Sequence, residues 1–168
     1  MDERGPLFAI VEFGVGLAGF AAIFVGLVRR VGAWEAASAY RLELLLIQSL
    51  SASLFALLPV ALELLGVPPT PMWRLSSMLL VLALVVGFFY ARSRFRRLPT
   101  SAQGELSAVL LHGGTVLILL CVGVLISGSA GMVSRSQAGS YYLVLVLLLF
   151  ASVLNFIRTV TTRPRPSA

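Results

Sequence analysis

Long, continuous apolar runs separated by short polar connections make up most of the chain. Five of these runs come close to or exceed the roughly 20 residues that a helix needs to cross a bilayer. They occupy residues 7–28, 42–66, 73–91, 106–127 and 141–157. Because apolar residues follow one another instead of alternating, helices are favoured over the strands of a membrane barrel. The pattern predicts an all-α, polytopic transmembrane helix bundle with five spans.

The connections are too short to hold a separate soluble unit, so residues 1–168 are predicted to form one transmembrane domain. The longest outer connection, residues 128–139, is rich in Gly and Ser and predicts a flexible loop. The segment 159–168 contains Arg-Pro-Arg-Pro and is predicted to be a disordered tail. The third and fifth spans are almost wholly aliphatic, and we expect them to face lipid.

The composition favours a membrane protein over a soluble one. Hydrophobic residues make up 58% of the chain and charged residues 12%, against about 45–50% and about 25% in soluble domains. A soluble domain of this size leaves a large part of its surface in water, which excludes so apolar a chain. The single Cys and the single His argue against an internal disulfide and a Cys or His metal cluster. We expect no metal and no cofactor.

All 13 basic residues are arginines, and they lie mostly between the apolar runs. This placement follows membrane topology, so the net charge of +6 predicts no nucleic-acid partner. With the N-terminus outside, three arginines fall on the outer side: Arg4, Arg74 and Arg135. Ten fall on the inner side: Arg29, Arg30, Arg41, Arg92, Arg94, Arg96, Arg97, Arg158, Arg163 and Arg165. The positive-inside rule therefore predicts an external N-terminus and a cytoplasmic C-terminus.

Side chains at the ends of the spans are expected to meet the membrane surface. Aromatic rings prefer this depth, and Trp73, Tyr141 and Tyr142 are predicted at the outer surface. Four arginines after the third span are predicted to hold anionic lipid head groups on the cytoplasmic side: Arg92, Arg94, Arg96 and Arg97.

Few ionisable residues lie inside the predicted spans, and each is a candidate functional group because an intramembrane charge is costly. Glu12 lies about two turns into the first span, Glu63 lies near the outer end of the second, and Arg74 opens the third. An ion pair of Arg74 with either carboxylate would offset part of the cost. Alternatively, Glu12 binds a proton or a cation. If Glu12 instead interrupts the first span, four helices remain and the N-terminus moves inside.

One face of the second span carries a polar stripe. Gln48, Ser51, Phe55, Pro59 and Glu63 follow the spacing of a single helix face. Pro59 leaves a backbone carbonyl without its helical partner, and Ser or Gln side chains are expected to supply one. The stripe predicts either hydrogen bonds between helices or one wall of a hydrated path.

A second polar stripe lies at the inner end of the fourth span, where His112 and Thr115 share a face. By depth, an inner cluster of Gln48, His112, Ser152 and Asn155 is predicted. His112 is the side chain that titrates near neutrality when unperturbed. It is either a hydrogen-bond partner between helices or a proton relay.

Small residues in the first span predict a helix that approaches its neighbours closely. They are Gly14, Ala18, Gly19, Ala22 and Gly26. The close contact is predicted either within the subunit or between subunits of a homo-oligomer.

Several short motifs run through the first half of the chain: Glu12, Ala18-Gly19-Phe20, Trp34, Arg41, Ala56-Leu57-Leu58-Pro59, Gly66 and Trp73-Arg74-x-x-Ser77. Their arrangement resembles a loose group of small bacterial multi-pass membrane proteins of unassigned function. This resemblance implies no particular activity. The single glutamate in a first helix is also similar to that of the small multidrug-resistance transporters, which implies ion- or proton-coupled transport, although this chain differs from them in helix number.

Two classes of function follow. The first is an oligomeric channel or ion/proton-coupled transport protein, with a pathway built from Glu12, Gln48, Glu63, His112 and Asn155. The second is a non-enzymatic scaffold or accessory subunit that docks through the first span. We expect no enzyme, because the chain lacks the phosphate-binding loop, His-Glu-x-x-His and Cys-x-x-Cys patterns.

Overall fold

The computed structural model describes residues 4–28, 36–106, 108–129 and 137–161, and all of its secondary structure in these ranges is helical. The helices are α1 (Arg4–Val28), α2 (Ala36–Leu64), α3 (Pro69–Arg96), α4 (Thr100–Glu105), α5 (Ala108–Ser129) and α6 (Gln137–Thr161). The predicted all-α class is thereby confirmed.

Four helices are long and apolar enough to cross a membrane: α1 over Arg4–Gly26, and α2, α3 and α6 over their full lengths. In α5 the described apolar stretch is shorter, Gly113–Gly128. The whole of α5 has 22 residues, which corresponds to about 33 Å at 1.5 Å per residue. The helices fit a multi-pass membrane protein.

The helix boundaries differ from the predicted spans mainly at the ends. Helix α2 begins at Ala36 and includes Arg41, whose side chain is buried. Helix α6 continues to Thr161, into the predicted tail, whose residues 162–168 lie outside the described ranges. The short α4 was not predicted; it starts directly after Pro99, where the fixed φ of proline suits a helix start.

Helices α2 and α6 form the centre of the bundle and pack antiparallel along each other. Helix α1 packs on one side of this pair, against both helices. On the other side, α3 and α5 close a ring of four with α2 and α6. Across this ring, the described parts of α2 and α5 make little direct contact. We call the end of the bundle that carries Arg92 and Arg158 the Arg-rich end.

The central position of α6 differs from the expectation that the fifth span faces lipid. Val144, Leu145 and Leu148 are buried among the other helices. Apolarity alone does not separate the two environments, because lipid tails are as apolar as a protein core. The surface of α3 follows the expectation more closely, since Met78, Leu82 and Val86 are exposed.

Small residues on α1 divide into two sets. Gly14 lies at the junction with α2 and α6: a Cβ placed there would overlap the Ser53 hydroxyl and lie 2.8 Å from the backbone oxygen of Ser49. Ala18 and Ala21 are buried on the same side. By contrast, a Cβ at Gly19 or Gly26 meets nothing within 4 Å, and Ala22 is exposed. The close approach within the chain therefore depends on Gly14 and Ala18, while the other predicted packing residues face outward.

The replacements Gly14→Ala and Gly19→Ala are expected to change stability in opposite directions. At Gly14 the added methyl group overfills the junction and should lower the free energy of unfolding by about 1–3 kcal/mol. At Gly19 it enters open space, and the higher helix propensity of Ala should leave stability unchanged or raise it by up to about 1 kcal/mol. Unfolding in mixed detergent micelles measures both, and equal effects of the two replacements would contradict the packing described here.

Candidate functional site

A cleft of about 140 Å³ lies inside the ring of α2, α3, α5 and α6. It exists because α2 and α5 face each other across the ring without meeting, and because the wall on α3 includes the small residues Ala83 and Gly87. A Cβ placed at Gly87 or at Gly114 would meet nothing within 4 Å. The residues that α2 contributes are Tyr40, Leu44, Ile47, Gln48, Ser51 and Phe55.

Among the residues that the structure describes, the cleft is exposed at the Arg-rich end and buried towards the middle of the bundle. Its exposed lining residues, Arg92 and Gly114, both lie at the Arg-rich end. At the other end, the lining residues Leu80, Cys121 and Leu148 are buried. The described walls thus form a pocket that ends inside the bundle.

The two predicted polar stripes meet at this cleft. Gln48 and Ser51 come from α2, and Thr115 comes from α5. The side chain of His112, one turn before Thr115, lies outside the described residues. Side chains from two helices that are far apart in sequence therefore line one space, as a binding site between bundle helices requires.

Part of the predicted inner cluster is formed. The Nδ2 group of Asn155 on α6 donates a hydrogen bond of 3.0 Å to Oε1 of Gln48. Ser152 is buried, but its hydroxyl donates to the Leu148 carbonyl of its own helix at 3.0 Å. The Gln48–Asn155 bond involves only Oε1 of Gln48, a residue that also lines the cleft.

Above the closed end, the hydroxyl of Tyr141 donates a 2.6 Å hydrogen bond to the backbone carbonyl of Phe55. This carbonyl is the one that Pro59, four residues later, cannot bond. The sequence predicted a free carbonyl here but assigned its partner to Ser or Gln; the partner is Tyr141, a fully buried residue of α6. The combination of a mid-helix proline with a tyrosine in another span is the signal that was missed.

The aromatic residues expected at the outer membrane surface pack against one another near one end of the bundle. The ring of Trp73 packs against Tyr141 at 5.7 Å and against Tyr142 at 5.8 Å between centroids. Trp73 and Tyr141 are both buried. Together with Phe55 they fill the bundle between the cleft and the end opposite to the arginines.

The acidic candidates are not brought to the cleft. Glu63 pairs with Arg4 at 2.8 Å between Oε1 and Nη2, with both side chains about half exposed. The expected partner Arg74 is exposed on α3, and Glu12 is exposed on the side of α1 that faces away from the bundle. Within the described ranges, no group of three His, Cys, Asp or Glu side chains is placed to hold a metal ion.

A polar network at the Arg-rich end was not predicted. Glu43 on α2 accepts a 2.6 Å hydrogen bond from the Tyr90 hydroxyl and pairs with Nη2 of Arg94 at 3.2 Å. The Tyr40 hydroxyl donates to the Ala91 carbonyl at 2.9 Å. These bonds tie α2 to α3 and neutralise Arg94. Glu43 could have indicated this network from the sequence. It lies near the start of the second span, at the same depth as the arginines that follow the third span.

No protein-family model, curated protein or solved structure matches the chain. The resemblance to small bacterial multi-pass proteins stays a prediction. The function has to be argued from the cleft and from the outward face of α1.

The replacement Tyr141→Phe is expected to lower the free energy of unfolding by about 1–3 kcal/mol, because it leaves the buried Phe55 carbonyl without a donor. In a Pro59→Ala background the cost should be smaller, since the backbone amide of the introduced alanine supplies the missing helical hydrogen bond. Unfolding of the four proteins of this double-mutant cycle measures the coupling. Equal costs in both backgrounds would show that Tyr141 does not serve the carbonyl that Pro59 leaves free.

Proposed function

We propose that the chain is a membrane transport protein whose substrate path runs through the cleft. In this proposal α1, α2, α3, α5 and α6 each cross a bacterial inner membrane, with the N-terminus outside and the Arg-rich end in the cytoplasm. The bias of ten arginines against three supports this orientation. The length of α5, about 33 Å at 1.5 Å per residue, supports the fifth crossing.

The observation that carries the proposal is that both polar stripes line one pocket with one mouth. A scaffold has no need for a cavity whose wall presents Gln48, Ser51 and Thr115. Because the pocket is closed beyond Phe55 and Cys121, it corresponds to one state of an alternating-access carrier better than to an open channel. In this proposal the path lies within one subunit.

Two features support an opening towards the other side. Pro59 interrupts the hydrogen bonding of α2 next to the closed end, and prolines are frequent sites of helix bending. The hydroxyl of Ser76 on α3 is fully buried and has no hydrogen-bond partner among the described residues. Ser76 lies one turn from the lining residue Leu80, on the same helix face. In the state that opens towards the other side, where the path extends beyond Tyr141, the Ser76 hydroxyl would meet a polar partner.

The only cysteine of the chain, Cys121, is fully buried, so a cysteine placed at the half-buried lining residue Ser51 in a Cys121→Ser background reports on access to the cleft. A small membrane-impermeant thiol reagent is expected to label this Ser51→Cys protein in inside-out vesicles and not in right-side-out vesicles. Gly87→Trp, which fills the cleft, should slow labelling at least about tenfold. Gly123→Trp, at an exposed glycine of α5 outside the cleft, should leave it unchanged.

Cys121→Ser and detergent-denatured protein provide the controls for background and for full reactivity. Labelling from the outside, or an equal effect of both tryptophan replacements, would contradict the proposed path. A native protein that does not react, although the denatured protein does, would contradict it as well.

A second candidate function, a scaffold or accessory subunit, is favoured by the outward face of α1. A Cβ at Gly16, Gly19 or Gly26 meets nothing within 4 Å, and Glu12 is exposed on the same face. A carboxyl group facing hydrocarbon costs about 2.5–3.5 kcal/mol or more, and small residues permit a close helix contact that would cover it. A second copy of the chain is the simplest partner for this face of α1. Such a contact between subunits is compatible with transport by each of them.

Gly19→Leu is expected to shift the purified protein from oligomer to monomer, because the larger side chain prevents close approach of α1 to another helix. Gly123→Leu, at the exposed glycine of α5, should not shift it. Light scattering coupled to size-exclusion chromatography in a mild detergent measures both. A monomeric wild-type chain that copurifies with a larger complex, and loses it on Gly19→Leu, would favour the accessory subunit over the homo-oligomer.

A further inference from the structure

We infer that the cleft binds a single-chain anionic lipid, a lysophospholipid with its phosphate at Arg92, its acyl chain along the apolar wall and its ester carbonyl at Gln48. This inference rests on the proposed transport path and names the substrate class for it. Three independent properties of the cleft point to such a ligand: its shape, the charge at its mouth and the hydrogen-bond donors that its walls offer.

The shape is long and narrow. On α2 the lining residues extend from Tyr40 to Phe55, which is about 22 Å along the helix axis at 1.5 Å per residue. A volume of about 140 Å³ over this length suits one extended chain better than a compact molecule. Since most lining side chains are aliphatic or aromatic, water is a poor occupant, and apolar cavities of about this size take up hydrocarbons.

The charge at the mouth is positive and not neutralised by described side chains. Among the described lining residues, Arg92 is the one that carries a charge, and it forms no ion pair with any side chain that the structure describes. The nearby carboxylate of Glu43 is engaged by Tyr90 and Arg94. A guanidinium group binds phosphate oxygens through two parallel hydrogen bonds, and the exposed Arg96 and Arg97 attract anions to the same surface.

The polar groups inside the cleft offer donors. Gln48 lines the cleft and its Oε1 accepts from Asn155, so the Nε2 hydrogens are the donors that we assign to the ligand. Gln48 lies eight residues beyond Tyr40, about 12 Å deeper along α2. A ligand that satisfies it needs an acceptor between an anionic head and an apolar chain. The ester carbonyl of a lysophospholipid is such an acceptor, whereas a fatty acid has only its terminal carboxylate.

The test uses the full chain in an uncharged maltoside detergent, with 1-lauroyl-lysophosphatidate as the probe. Protection of a cysteine at Ser51, in the Cys121→Ser background, from a thiol reagent reports occupancy of the cleft, and native mass spectrometry of the wild-type chain counts bound probe molecules independently of that cysteine. We expect one probe molecule per chain and at least about tenfold slower labelling. Arg92→Gln should raise the half-protecting concentration at least about tenfold, and Arg97→Gln should raise it less than about twofold.

Three comparison ligands separate the contributions. The ether-linked analogue lacks the carbonyl. It should bind more weakly than the ester to the wild-type chain, whereas the Gln48→Leu variant should bind the ether and the ester equally well. Laurate tests whether a free fatty acid is the source of the anionic head, and it should bind more weakly than the ester. Uncharged monolaurin should bind at least about tenfold more weakly than the phosphate.

Equal binding of monolaurin, or equal effects of Arg92→Gln and Arg97→Gln, would overturn the assignment of the anionic head to Arg92. If laurate binds more tightly than the lysophosphatidate, the ligand is a fatty acid and the assignment of an ester carbonyl to Gln48 is wrong. No bound probe in native mass spectrometry, with the cysteine at position 51 still reactive from the cytoplasmic side, would reject the ligand and leave the transport path standing. Bound probe in a protein whose cysteine at position 51 does not react even when the probe is absent would reject the path instead.

Discussion

The backbone carbonyl of Phe55, left free by Pro59, is the constraint on which the rest of the bundle depends. Inside a membrane no water satisfies such a group, so another helix has to bring a donor to it. The Tyr141 hydroxyl does so at 2.6 Å, which fixes the height of α6 against α2. The pair Gln48–Asn155 then falls into register on the same two helices, while Gly14 of α1 packs against Ser53 of α2.

The two sides of the central pair, α2 and α6, differ in how closely they are packed. Towards α1 the packing is close, because Gly14 allows the backbone to approach. Towards α3 and α5 the ring is filled by Trp73 and Tyr141 at one end and left partly empty at the other. The same interaction that closes one half of the ring therefore leaves the cleft in the half that carries the arginines.

The sequence predicts the long helices well, because each appears as a long apolar run that is clearly bounded by polar connections. It also indicates the cleft in part: Gln48, Ser51 and Thr115 stand out as polar residues in apolar spans. It does not show that the aliphatic α6 is central, since core and lipid select the same side chains. Nor does it show the partners of Glu63 or Phe55, because Arg4 and Tyr141 are distant in sequence and either could have met other groups.

A cysteine scan along α2 in a Cys121→Ser background tests the central claim, a cleft with a single mouth at the Arg-rich end, most directly. Cysteines at Leu44, Ile47 and Ser51, on the cleft face, should react with a membrane-impermeant reagent added on the side of the Arg-rich end. Cysteines at Leu45 and Ala52, buried on the other side of α2, should not react. Equal reactivity on both faces, or access to Ser51 from the opposite side, would contradict the account.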